Sequence, residues 1–365
     1  MAQQNHDLTA TTAGEVLGAY LRSQATAFLR GLRLHEERAQ DATDGTEAAR
    51  TLRGAARRIS GSLGTFRTVC ESAWADGLRT ELVWLSSTLA DEHAYADRLA
   101  RLLGALHRLS GSPGAGQGPG FPAPRGAAAG RGQAGQSGRG GPGALGGRSG
   151  AAGTAGAAGT TGSAGSLTVG SARAGALLER QLTLARTRAH SATLQALGSS
   201  RFHAVADAVA VLASEVPLDQ IAAAGRTEDV LVPLAALAES RLDTAVSALP
   251  LVRASRPYNA DALIDDGHQD APWHDVRRLL RTHRYAQEAL GADVARPTAA
   301  GEALDRHRDA AEAAAASATA ARTPRIAPAT AYALGVLHAD QRHEVEAARF
   351  DFQQIWAHAA RPAGV

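Results

Sequence analysis

The stretch from Ser110 to Ser166 constrains the fold of this chain more than any other, because it holds 21 of the 39 glycines and not one aspartate or glutamate. Such a segment buries too little apolar surface to offset the entropy of ordering it, which predicts a disordered linker. Glycine recurs at every third position from Gly150 to Gly165, but the triplets are few and lack proline, so this is not a collagen pattern. Arg125, Arg131, Arg139 and Arg148 make the segment basic, and the expectation is an inert spacer. Taken as residues 110–167, it separates a flexible N-terminus (1–11) and a first half (12–109) from a second half (168–361).

Both halves read as helical. Alanine and leucine dominate, aromatic residues make up 4% of the chain, and no run of alternating β-branched residues is long enough for a sheet, so the predicted fold class is all-α. In the first half, Thr12 and Glu15 form a capping box ahead of helical apolar spacing. A second helix is expected from about Glu47 to Val69, then two more over AWADGLRTELVWLSSTL and HAYADRLARLLGALHRL. In the second half helices are expected near 170–197, 201–214, 228–249, 271–291, 301–321 and 327–361.

Several function classes fall away early. Cys70 is the only cysteine, which excludes an intramolecular disulfide framework and a cysteine-built zinc site. The N-terminal MAQQNHDLTATTAGE has neither a basic nor an apolar targeting region, and no run approaches the roughly 18 apolar residues of a membrane span. A cytoplasmic protein without membrane contact is expected. The 38 basic and 36 acidic residues nearly balance, so any basic site must be local. Every one of those basic residues is arginine, which suits bidentate binding of phosphate or carboxylate, although a lysine-free chain also fits a GC-rich genome.

One helix concentrates that arginine. In WHDVRRLLRTHRY, residues 273–285, turning about 100° per residue places His274, Arg277, Arg278, Arg281, Arg284 and Tyr285 within an arc of roughly 120°. The opposite arc holds Val276, Leu279, Leu280, Ala286 and Leu290. A shift of 224 residues reaches RTLRGAARRISGSLGTFR, where Arg50 takes the phase of His274, Arg53 that of Arg277 and Arg57 that of Arg281. Arg58 follows, and Leu52, Ile59, Leu63 and Phe66 form the apolar arc. Solvated helices usually intersperse acids among their bases, yet Arg50 to Arg67 contains none. Gly54, Gly61 and Gly64 lie on the basic side, each costing about 1 kcal/mol against alanine, and would admit a ligand or a neighbouring helix. The arginines thus look for an external counter-charge, most simply a polyanion.

These stretches resemble the CHAD family, the conserved histidine α-helical domain. WHDVRRLLRTHRYAQEALG is similar to its second basic helix, with His274 at the histidine that names it and Arg277, Arg278, Arg281, Arg284 and Tyr285 at motif positions. ARTLRGAARRISGSLGTFR resembles the first basic helix. TAGEVLGAYL and ALGVLHADQRHEVEAARFDFQQIW resemble the terminal helices, and LDRHRDA, around His307 and Asp309, a third short motif. The resemblance implies two four-helix-bundle-like halves related by pseudo-twofold symmetry, with basic helices lining a shared groove. It also implies binding of inorganic polyphosphate, association with polyphosphate granules and granule proteins as partners. Many relatives carry a strand-rich CYTH domain, for which no such region is visible in this sequence. Arg50 stands where the first repeat usually has its histidine, Ser60, Gly61 and Gly64 thin out its usual residues, and His93 and Ala94 replace a frequent Arg-Asp. A first half that binds more weakly, or mainly supports the second, is expected.

The expected function is therefore non-catalytic polyphosphate binding through Arg50, Arg53, Arg57, Arg58, His274, Arg277, Arg278, Arg281, Arg284 and Tyr285, with no cofactor and no metal. Nucleic-acid binding through the same faces is the alternative, but base stacking wants aromatics among the arginines, and Tyr285 is the only one on the basic face. A metal-dependent enzyme is disfavoured, since His307 and Asp309 lie two apart on a helix and diverge by about 200°. His338 and His343, five apart, fare little better. At the centre of the arginine face, His274 would be hard to protonate.

Overall fold

The computed structural model describes residues 11–37, 44–111, 158–255 and 267–358, and among them every regular element is helical. The all-α expectation holds. α1 (Ala13–Glu37) begins at the capping box: the Glu15 N–H donates to Thr12 Oγ1 at 3.2 Å, and the Thr12 N–H donates to the Glu15 carboxylate at 2.9 Å. α2 (Asp44–Thr65) ends in a 3-10 turn, Arg67–Val69. α3 (Ser72–Leu109) is one helix of 38 residues where two were expected, because no glycine or proline interrupts LADEHAYA at its middle.

The remaining helices are α4 (Ala158–Leu197), α5 (Ser200–Ser214), α6 (Gln220–Ala224), α7 (Thr227–Ser247), α8 (Leu251–Ala254), α9 (Gly267–Ala289), α10 (Ala295–Ala321) and α11 (Pro328–His358). α4 starts inside the stretch read as linker. Extending a formed helix through alanine-containing sequence needs no new nucleus, and residues 158–167 are helical accordingly. The rest of that linker, 112–157, and the N-terminal residues 1–10 lie outside the described residues. α7 stops short because Pro250, lacking an N–H, starts the separate turn of α8. α10 begins six residues before the expected Gly301 and takes Pro297 into its first turn, where the missing N–H costs nothing. Gly291, in the left-handed region with φ +67°, closes the turn after α9.

Three large apolar clusters, and a small one of Ala310, Ala311 and Val345, hold the described helices. The largest gathers Leu17, Leu21 and Phe28 of α1, Leu52, Ile59 and Leu63 of α2 and Leu82 of α3 with Val209 of α5, Leu231 of α7 and Ala286 of α9. It therefore draws on residues from both sides of the Gly-rich stretch. A second joins the end of α3 to α4, the end of α10 and the start of α11. A third packs Trp273, Val276 and Leu280 of α9 against α7, Leu304 of α10 and Phe352 of α11. Fully burying a leucine or phenylalanine contributes about 1.5–3 kcal/mol, so the leucine and isoleucine arcs of α2 and α9 fix which way their arginines face.

Candidate anion-binding site

The two arginine-bearing helices lie against each other, and their apolar arcs point inward as the spacing predicts. Leu52, Ile59, Leu63 and Phe66 of α2 are buried, as are Val276, Leu280 and Ala286 of α9. Where the helices meet, Gly61 takes the ring of Tyr285: a Cβ on Gly61 would stand 2.7 Å from Tyr285 Cδ2. Here the glycine admits a neighbouring helix. Tyr285 is only 4% exposed, so the one aromatic on the basic face is a packing residue beneath Arg58 and Arg284, whose guanidinium carbons sit 5.5 and 5.2 Å from its ring centre.

Along this seam Arg53 and Arg57 of α2 meet Arg277 and Arg281 of α9, with Arg308 of α10 beside them. Arg53 Nε, Arg57 Nε and Arg281 Nη1 are shielded from solvent and have no hydrogen-bond acceptor among the described residues. Burial pushes the pKa values of Arg53 and Arg281 down to about 10 and lowers that of Arg57. Repulsion from neighbouring guanidiniums adds to the effect on each. With pKa values near 10, Arg53 and Arg281 stay protonated at neutral pH and carry charge that the protein does not fully compensate. An unsatisfied buried donor costs about 1–3 kcal/mol, more when charged.

The other arginines already have partners. Arg58 Nε donates to Glu288 at 2.7 Å and the Tyr20 hydroxyl donates to it at 3.1 Å, while Arg284 Nε, buried and without a hydrogen bond among the described residues, is ion-paired to the same carboxylate at 3.3 Å. Arg277 pairs with Asp305 of α10. Arg278, 63% exposed, donates to Asp275 at 2.7 Å on the outer side of the helix, and Arg50 lies exposed 3.6 Å from Glu47. The structure thus brings together Arg53, Arg57, Arg277 and Arg281 of the ten expected residues. It commits Arg58 and Arg284 to a buried clamp and leaves Arg50 and Arg278 at the rim.

His274 stands at the edge of the cluster, its ring 5.4 Å from that of His307 in an edge-to-face contact. Its pKa is lowered by burial first and then by Arg277 and Arg308, against the pull of Asp270 and Glu312. Behind it runs an ionic network that the sequence did not reveal. Asp270 of α9 accepts from Arg342 Nη1 at 2.7 Å and from Arg349 Nη2 at 2.6 Å, both on α11. Arg349 Nη1 also donates to Glu346 at 2.7 Å, and its guanidinium lies 5.1 Å from the centre of Trp273. His307 Nε2 lies 3.2 Å from Arg349 Nε and 3.5 Å from Asp270, and its buried Nδ1 has no hydrogen-bond partner among the described residues. Burial pushes the His307 pKa down to about 4. His307 is fully buried while Asp309 is exposed and pairs with Arg308, so the two diverge as the helical spacing requires. Among the described residues no group of three or more His, Cys, Asp or Glu side chains is placed to hold a metal ion.

Arg308, Asp305 and Glu288 are the site residues that helical phase alone missed. Arg308 and Asp305 both lie within the LDRHRDA motif, which was the available signal, and Glu288 closes the basic helix itself.

With this geometry in hand, comparison with known proteins is decisive: the CHAD domain family model matches residues 23–318. The chain belongs to the CHAD family. As a CHAD protein it is also similar to a solved structure, PptA from Streptomyces chartreusis, at 52% sequence identity. That likeness covers 95% of this chain and 100% of the other, with a TM-score of 0.71. No curated protein matches the chain. Among the described residues of this CHAD protein, no helix is long and apolar enough to cross a membrane.

Proposed function

We propose that this protein binds inorganic polyphosphate without chemically altering it, in the seam between α2 and α9, and that it associates through that ligand with polyphosphate granules. The observation that carries this reading is the trio Arg53, Arg57 and Arg281, charged, partly buried and without acceptors at the buried nitrogens among the described residues. A chain of linked phosphates supplies acceptors at close spacing and demands no reaction from the protein. The carboxylates beside the cluster, Asp305 and Asp309, pair with Arg277 and Arg308. Family membership supports the same ligand class.

We also read α2 and α9 as two related halves of one site. Gly61 and Tyr285 touch, Arg57 and Arg281 repel each other, and so do Arg53 and Arg277, each pair at the same 224-residue offset. Nucleic acid is the weaker reading because Tyr285 is buried and offers no stacking platform.

Titration of the full chain with labelled polyphosphate at low salt tests the proposal. Each charge-assisted hydrogen bond contributes about 1.5–3 kcal/mol, so Arg57→Ala with Arg281→Ala should lose roughly a hundredfold or more in affinity. Arg278→Ala, outside the seam, should stay within about threefold of wild type. Absence of polyphosphate affinity in the wild-type chain would reject the function outright.

A further inference from the structure

The carboxylate of Asp305 stands against Arg277 at the arginine cluster. It pairs with Arg277, a side chain only 12% exposed, while Asp305 itself is 53% exposed and half in solvent. It is also the acid whose field reaches Arg53, Arg57 and Arg281 together, and it acts on Arg308 as well. The other carboxylates near the seam are differently employed. Glu288 is largely buried and held by Arg58, Arg284 and Tyr20. Asp309 is turned to Arg308, and Glu312 joins Arg308 to Arg98 of α3.

A guanidinium offers a planar fork that accepts a carboxylate or a phosphate with the same donors, but not both through the same N–H groups. Glu288 is fixed by three partners, whereas Asp305 has a single guanidinium contact and an open path to solvent. It can leave the seam without disturbing the core.

We propose that Asp305 is an intramolecular competitor of the ligand, an autoinhibitory contact in which its carboxylate and a phosphate of the incoming chain contend for Arg277. This inference rests on the polyphosphate reading. Being tethered, the carboxylate competes at a high effective concentration whatever the solution contains. It partly offsets the repulsion among the clustered arginines in the free protein, and it holds the affinity below what the arginines alone would give.

The test compares three full-length proteins, wild type, Asp305→Asn and Asp351→Asn, each titrated with polyphosphate over a series of salt concentrations. Asp351 pairs with exposed Arg306 at 2.8 Å, so its variant makes the same change in net charge away from the seam. Asp305→Asn is expected to bind about tenfold more tightly, the worth of one released charge-assisted bond of about 1.5 kcal/mol. Its salt slope should match that of the wild type, because Arg277 meets the same phosphate once the carboxylate is displaced. Asp351→Asn should change affinity less than about threefold.

Weaker binding by Asp305→Asn would show that the carboxylate positions Arg277 for the ligand, and would overturn the inference. So would unchanged binding, or a gain no larger than that of Asp351→Asn. Failure of the wild-type chain to bind polyphosphate at all is a separate result, and removes the underlying function rather than the role of Asp305. Melting temperatures of the three proteins confirm that the comparison is between folded chains.

Discussion

At the scale of single residues, the meaning of a side chain was set by what stood opposite it. Gly61 and Gly54 look alike in the sequence, two glycines on the basic side of one helix. An added Cβ at Gly61 meets Tyr285 Cδ2 at 2.7 Å, whereas at Gly54 the nearest neighbour is the movable tip of Arg58 at 3.5 Å. Alanine gains about 1 kcal/mol of helix propensity at either position, and overpacking costs about 1–3 kcal/mol at the first alone. Gly54→Ala is therefore expected to raise the melting temperature and Gly61→Ala to lower it, which paired thermal unfolding curves would check. The sequence could suggest that a close approach occurs on this face, but not at which glycine. Likewise Arg278 and Arg281 share an arc on a helical wheel, yet one sits in solvent beside Asp275 and the other in the seam. Phase fixes direction about a helix axis, whereas the partner at that direction comes from another helix.

At the scale of elements, the apolar arcs of α2 and α9 were legible because burial follows helical periodicity. The capping box of α1 was legible because it is local. The single helix α3 was not, and neither was the network joining α9, α10 and α11, whose members lie far apart in the chain. That network has a pH signature. Unfolded, His307 takes up a proton near the ordinary value of 6.5, but folded only near 4. Between those values the unfolded chain holds the extra proton, so acid favours unfolding. From about pH 6.5 down to about pH 4 the protein should lose about 3 kcal/mol from this residue, at roughly 1.4 kcal/mol per pH unit. His274 and His283, also lowered mainly by burial, add loss of the same sign. Urea unfolding at pH 7 and pH 5 would measure the slope, and His307→Phe should flatten it in part. A wild-type stability that stayed level over this range would contradict a neutral His307 in the folded protein.

At the scale of the whole molecule, a small net charge conceals a concentrated one. Five arginines, Arg53, Arg57, Arg277, Arg281 and Arg308, share the seam although the chain as a whole is nearly neutral. If each neutralises one phosphate, the slope of roughly 0.7 per phosphate for a single strand predicts about a hundredfold loss of affinity between 50 and 200 mM salt. An affinity indifferent to salt would mean that the ligand is held by something other than these charges.

The contact between Gly61 and Tyr285 also sets an order in time. A ribosome adding roughly 5–20 residues per second needs some ten to forty-five seconds to travel from one helix to its mate. Throughout that interval the residues of α2 are already made, while Tyr285, which fills the notch at Gly61, is not. Asp305 is synthesised later still. If Asp305 competes for Arg277 as proposed, the nascent chain carries Arg53 and Arg57 before it carries their competitor.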